Sequence, residues 1–145
     1  MPSMKTVKVT ATGPEGWVVT TKSGDHISLI DQPEAMGGTN TGPSPLDYVF
    51  VALGGCIVTV AKIVAGQKRI ALRGVEVEVS GDINLAVLRG QENDSRAGFQ
   101  NIHVKVIVDA DLTLEEKKAF MEEVDKRCPV SDNLINTTPF EIVVE

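Results

Sequence analysis

The chain is poor in the residues on which much of protein chemistry depends. Its 145 residues hold two histidines, two cysteines, one tryptophan and one tyrosine, and aromatics make up 4%. His26 and His103 stand apart on strand-like segments, and no Cys-x-x-Cys or His-x-x-x-His spacing occurs, so no metal centre is expected. There is no Gly-x-Gly-x-x-Gly or Walker loop. Gly37-Gly38-Thr39-Asn40-Thr41-Gly42 is glycine-rich, but no strand leads directly into it, which argues against nucleotide binding. The absence of Gly-x-Ser-x-Gly removes the usual serine nucleophile. Basic residues number 14 against 20 acidic ones, a net charge of −6, and no lysine or arginine run forms a stripe, so nucleic acid is not an expected partner. At 42% hydrophobic and 23% charged, the composition excludes a disordered chain or a disulfide-stapled miniprotein.

The opening Met-Pro-Ser-Met-Lys-Thr-Val-Lys lacks the apolar core of a signal peptide. A cytoplasmic location is therefore expected, with thiols reduced at rest. The most apolar stretch runs from Tyr48 to Ala61, bounded by Asp47 and Lys62, and its 14 residues fall short of the roughly 20 that a membrane span needs. It reads as a core helix buried on most of its circumference, with no membrane partner. A small domain hardly supplies cover on all sides of such a helix, which hints at a dimer.

The length suits one domain over residues 1–145. Three strands open it: Thr6–Thr12 and His26–Ile30 alternate, and Trp17–Thr21 is β-branched, with glycine turns between them. Asp31 to Ser44 is a long Gly/Pro/Thr/Asn loop of the kind that often carries function. Ser44, Pro45 and Asp47 then form a capping-box start, and Leu46, Val49, Phe50, Leu53, Ile57, Val60 and Val64 keep helical spacing up to a stop at Gly66. Gly54-Gly55 inside this helix suggests close packing against the backbone, since each glycine costs about 1 kcal/mol relative to alanine. Val75–Val79 alternates, Ile83–Leu88 reads as a possible extension of that strand, and 89–100 is polar loop. Ile102–Val108 is a further strand. Thr113 and Glu116 cap a helix carrying Leu114, Phe120, Met121 and Val124. Cys128-Pro129 opens a short helix to Leu134, and Phe140–Val144 closes as a strand. Grouped strands and helices in this order indicate an α+β fold.

The two cysteines carry what chemistry remains. Cys56 lies within the apolar helix, where a thiol is either a small buried hydrophobe or, given a donor nearby, a reactive group. Cys128, between Arg127 and Pro129 at a helix start, stands where free N–H groups and the helix dipole lower a thiol pKa, although it reads equally as a capping residue.

The run Gly42-Pro-Ser-Pro-Leu-Asp-Tyr-Val-Phe-Val-Ala-Leu-Gly-Gly-Cys56, followed about seventy residues later by Arg127-Cys128-Pro129-Val130-Ser131, closely resembles the OsmC/Ohr family. These are the osmotically inducible and organic hydroperoxide resistance proteins, and the order of elements from Thr6 to Val144 fits them. The resemblance implies an OsmC-like α+β fold in which antiparallel sheets wrap around a long central helix, in an intertwined homodimer. It also implies a thiol-dependent peroxidase for organic hydroperoxides, with hydrogen peroxide a further candidate. Cys56 would be the peroxidatic thiolate and Cys128 the thiol that resolves it as a disulfide, which a dithiol reductant reopens; no metal, haem or flavin cofactor is implied. The chain departs from the family pattern in two places. No arginine precedes Arg69 to hold the thiolate, and Leu46 stands where the family uses a glutamate. Asp47, one residue on, is a candidate for that carboxylate as well as for the cap. The departures leave open a second class of function: an OsmC-fold protein of little reactivity that binds a small hydrophobic ligand near Cys56. A structural dimer whose cysteines never meet is the third.

Overall fold

A computed structural model of the chain describes residues 2–91 and 94–145, so Met1 and two positions of the polar loop expected over 89–100, Glu92 and Asn93, lie outside the described residues. The chain divides into two compact units, 1–49 and 50–145.

In the first unit, strands β1 (Thr10–Thr12), β2 (Val19–Ser23) and β3 (His26–Ile30) form an antiparallel meander. Ser23 pairs with His26, so β2 and β3 are joined by a two-residue turn, and Gly24 supplies its left-handed φ of 58°. The first strand is shorter than its alternation over Thr6–Thr12 predicts. Its partner runs out: Thr10 already pairs with Lys22, one residue from the end of β2.

The loop from 31 to 44 is ordered around one carboxylate. Asp31 is fully buried and accepts the backbone N–H of Gln32, Thr39 and Thr41 together with both threonine hydroxyls, at 2.6–3.2 Å. Those bonds, the Thr39 hydroxyl foremost, hold its pKa far below the usual carboxylate range. Gly38 fits here because a Cβ would collide with the Gln32 carbonyl.

Helix α1 (Pro45–Lys68) begins in the first unit and runs through the second. Its capping box is complete. The Ser44 N–H and hydroxyl both donate to Asp47 Oδ2 at 2.9 Å, and the Asp47 N–H donates back to Ser44 Oγ at 3.2 Å. The helix passes the expected stop at Gly66. Arg69 ends it instead, in the left-handed region (φ 56°), with Ile70 N–H bonded to the Ala65 carbonyl at 2.9 Å and Arg69 N–H to Gly66 at 3.4 Å. That crossed pair is a Schellman ending, which needs no glycine when its two bonds and the next turn fix the backbone.

The second unit is built on a long antiparallel pair, β4 (Gly74–Ile83) and β5 (Phe99–Asp109), in register from Gly74↔Asp109 to Ile83↔Phe99 with one irregularity at Asp82/Ile83. The chain does not continue as strand through Leu88. The Asn84 side chain accepts the Ala86 N–H at 3.0 Å and starts a single helical turn, α2 (Leu85–Leu88). Then follow α3 (Leu114–Arg127), capped by Thr113 as expected, and α4 (Pro129–Ile135).

Leu53, Ile57, Val60, Ala61, Val64 and Ala65 of α1 pack with Val108, Ala110, Phe120, Val124 and Cys128 into the core of this unit. The other side of α1 is open: Val51 and Ile63 are exposed, so the helix buries one stripe rather than most of its circumference. By length and composition α1 would suffice to cross a membrane, since the helix is 24 residues long and outruns the 14-residue apolar run. Its buried stripe, however, is occupied by the protein's own core. The Gly54-Gly55 pair does not mark a tight approach. A Cβ on Gly54 would meet Val79 and Val77 at ordinary contact distances, and one on Gly55 would meet nothing.

The segment Phe140–Val144 is not a strand. It is irregular and its apolar residues are exposed, Phe140 by 88% and Val144 by 87%. A run of β-prone residues alone does not make a strand; an unpaired edge must receive it, and among the described residues none does.

Candidate functional site

Cys56 sits on α1 between two residues of the buried stripe, Leu53 and Ile57, and is itself half-buried. Cys128 is placed by its neighbour. A residue before proline is pushed away from helical torsions, and Cys128 accordingly has φ −82°, ψ 108°. It is at once the C-cap of α3, its N–H bonded to the Asp125 carbonyl at 3.2 Å, and the N-cap of α4, its carbonyl accepting the Asp132 N–H at 3.1 Å. The corner turns its side chain inward, leaving it 1% exposed.

There the two sulfurs meet. Both thiols are free, and Cys128 Sγ lies 2.9 Å from Cys56 Sγ. A disulfide is about 2.05 Å long, so closing it needs a movement of roughly 0.9 Å. The structure thus brings together the two cysteines that the sequence singles out.

The acidity of Cys128 runs against the sequence expectation. Burial pushes its pKa up, and the contact with Cys56 adds to the rise. The sulfur makes no full capping hydrogen bond; the N–H groups of Ser131 and Val130 lower its pKa without cancelling the burial. Cys128 is therefore a protonated thiol at neutral pH. Arg127 does not assist it: its guanidinium donates to Gln67 Oε1 at 2.9 Å and pairs with Glu123 at 3.7 Å. Asp47 is engaged in the capping box, as one of its two candidate roles required. Among the described residues no three His, Cys, Asp or Glu side chains are grouped as metal ligands would be.

An apolar cavity of about 480 Å³ lies in the same unit as the two cysteines, neither of which lines it. Its walls include Leu53 and Ile57, which flank Cys56, and Asp125 and Ser131, which stand three residues on either side of Cys128, with Val104 and Val106 of β5 opposite. Sequence reasoning missed the last pair. Ser131 is buried and donates its hydroxyl to Asp125 Oδ1 at 2.7 Å. A serine three places into a helix, six residues after an aspartate, gives little warning of that bond. The Asp31 cluster was missed as well, although an aspartate followed at +8 and +10 by threonines in a glycine-rich loop is a usable signal.

No curated protein matches the chain in sequence. Solved structures do match in fold. An OsmC-like protein from Mycoplasma pneumoniae superposes with a TM-score of 0.79 at 23% identity, over 90% of this chain and 88% of that one. An organic hydroperoxide resistance protein OsmC from Legionella pneumophila gives 0.69 at 18% identity, over 92% and 91%. An organic hydroperoxide resistance protein from Elizabethkingia anophelis gives 0.68 at 21% identity, over 91% and 89%. These likenesses agree with the α+β fold built above. The family model described as OsmC-like protein matches residues 38–143, a span holding both cysteines and the α3–α4 corner, and the chain belongs to that family.

Proposed function

We propose that this protein is a cytoplasmic thiol peroxidase that reduces organic hydroperoxides. The observation that carries the reading is the 2.9 Å contact between Cys56 and Cys128. In the first step the Cys56 thiolate attacks the outer peroxide oxygen. The O–O bond breaks, the sulfur gives up two electrons as Cys–S–OH, and the alkoxide leaves with a proton as an alcohol. In the second, Cys128 attacks that sulfur; the S–S bond forms and the hydroxyl leaves with the Cys128 proton as water. A dithiol then reduces the disulfide and is itself oxidised. Roles follow from burial: Cys56 is the more accessible thiol, and Cys128, buried and protonated, suits the later attack. The apolar cavity, lined by chain neighbours of both cysteines (Leu53, Ile57, Asp125 and Ser131), favours a substrate with a hydrocarbon body over hydrogen peroxide.

The same cavity favours the second reading, a binding protein for a small hydrophobic molecule, should the dithiol prove inert. One equivalent of cumene hydroperoxide, an alkylating quench and intact mass decide between them. Loss of two hydrogens and of both alkylation sites within seconds, abolished by Cys56→Ser, supports the peroxidase. Two thiols that stay alkylatable refute it.

The working form in this proposal is a homodimer. The open side of α1, with Val51 and Ile63, and the unpaired apolar segment at Phe140–Val144 are surfaces that a second copy would cover. Sedimentation equilibrium giving a monomer mass at micromolar concentration would refute that part.

A further inference from the structure

Helices α3 and α4 meet at Cys128, and Asp125 holds that corner at two points. Its carbonyl oxygen accepts the Cys128 N–H at 3.2 Å, and its carboxylate accepts the Ser131 hydroxyl at 2.7 Å. The first bond fixes the cysteine's backbone to the end of α3. The second ties the opening turn of α4 to the same residue. Among the described residues no other side-chain hydrogen bond joins the two helices; those of Asn133 and Asn136 stay within α4. Pro129 brings no N–H, and the Cys128 sulfur does not cap. The Asp125–Ser131 bond thus adds a side-chain tie between the helices to the constraints that Pro129 and the surrounding core place on that sulfur.

We propose that Asp125 and Ser131 are positioning residues for the resolving step, holding the Cys128 sulfur against Cys56 so that the sulfenate closes to a disulfide before it is oxidised further. The proposal rests on the peroxidase reading. It adds that resolution is rapid because the sulfur is held in place. A buried thiol of low acidity has little thiolate to offer, so geometry must supply the rate.

Single-turnover experiments test this in Ser131→Ala and Asp125→Ala, with Ser131→Thr and Asp125→Asn as variants that keep the hydrogen bond. Sulfenate is trapped with dimedone to time the first step, and intact mass times the disulfide. Because Asp125 and Ser131 also line the cavity, closure is timed from sulfenate already formed, so that any change in the first step is read separately. Disulfide closure should slow by about tenfold or more in the two alanine variants, since a displacement of about 1 Å can lower a rate by up to ~100-fold. It should recover in the two conservative ones, and sulfinic acid should accumulate only where closure is slow. Closure at the parental rate in both alanine variants would overturn the proposal, as would equal slowing of both steps, which marks a merely structural bond. If the parent forms no sulfenate at all, the peroxidase reading fails, and diamide serves as the oxidant instead. Diamide closes neighbouring thiols without peroxide chemistry. Slower closure in the alanine variants then upholds the positioning role, and parental closure overturns it.

Discussion

In the proposed peroxidase cycle, the burial of Cys128 makes the resolving step a pH-dependent one. An unperturbed thiol with a pKa of about 8.5 is roughly 3% thiolate at pH 7. Cys128 has less, because burial raises its pKa. Since the thiolate is the attacking species, closure should quicken about tenfold for each pH unit below the pKa, or about 100-fold from pH 6 to pH 8. The perturbation is a pH jump. Sulfenate is formed at pH 6 with one equivalent of cumene hydroperoxide, the sample is mixed to the final pH, and aliquots are alkylated and weighed. The slope of log rate against pH should be near one up to pH 8. A flat profile, or a plateau below pH 8, would refute the argument, because it would mean that Cys128 is already ionised despite its burial.

Three further outcomes follow from the structure. Val124→Ala removes two methyl groups from a side chain with no exposed surface, and should lower the unfolding free energy by about 2 kcal/mol in urea titration. Asp47→Ala should destabilise by about 1 kcal/mol through loss of the capping box, while single-turnover disulfide closure keeps its parental rate; a large loss of closure would return Asp47 to the chemistry. Asp31 has its folded pKa depressed, so its contribution to stability is present above about pH 4 and fades as the pH falls through the folded value. Asp31→Asn should therefore be less stable than the parent at pH 7, and the difference should shrink in acid; an unchanged difference at pH 3 and pH 7 would exclude that linkage.

Much of the site was legible in the chain because it is written in local signals. The Ser44–Asp47 box and Thr113 announce their helices, and the Cys128-Pro129 step announces the corner, since proline restricts the residue before it. What failed depended on partners. Thr6–Thr12 alternates and Phe140–Val144 is rich in apolar, β-branched residues, yet pairing decides whether such a run becomes a strand. The pKa of Cys128 was misjudged for a related reason: its helix position is local and argues for acidity, whereas its burial is supplied by the surrounding core and argues more strongly against it. The Asp125–Ser131 bond was invisible because it spans two helices whose mutual angle no spacing encodes.

The separation of the two cysteines along the chain, 72 residues, has a consequence outside the chemistry. Once joined, they lock a loop of that length, and on the chain-entropy account this restricts the unfolded state enough to stabilise the fold by about 4 kcal/mol. Each encounter with an oxidant would then leave a hardened molecule and each reduction a softer one. In the proposed cycle, copies waiting for reductant would therefore resist unfolding and proteolysis longer than reduced ones.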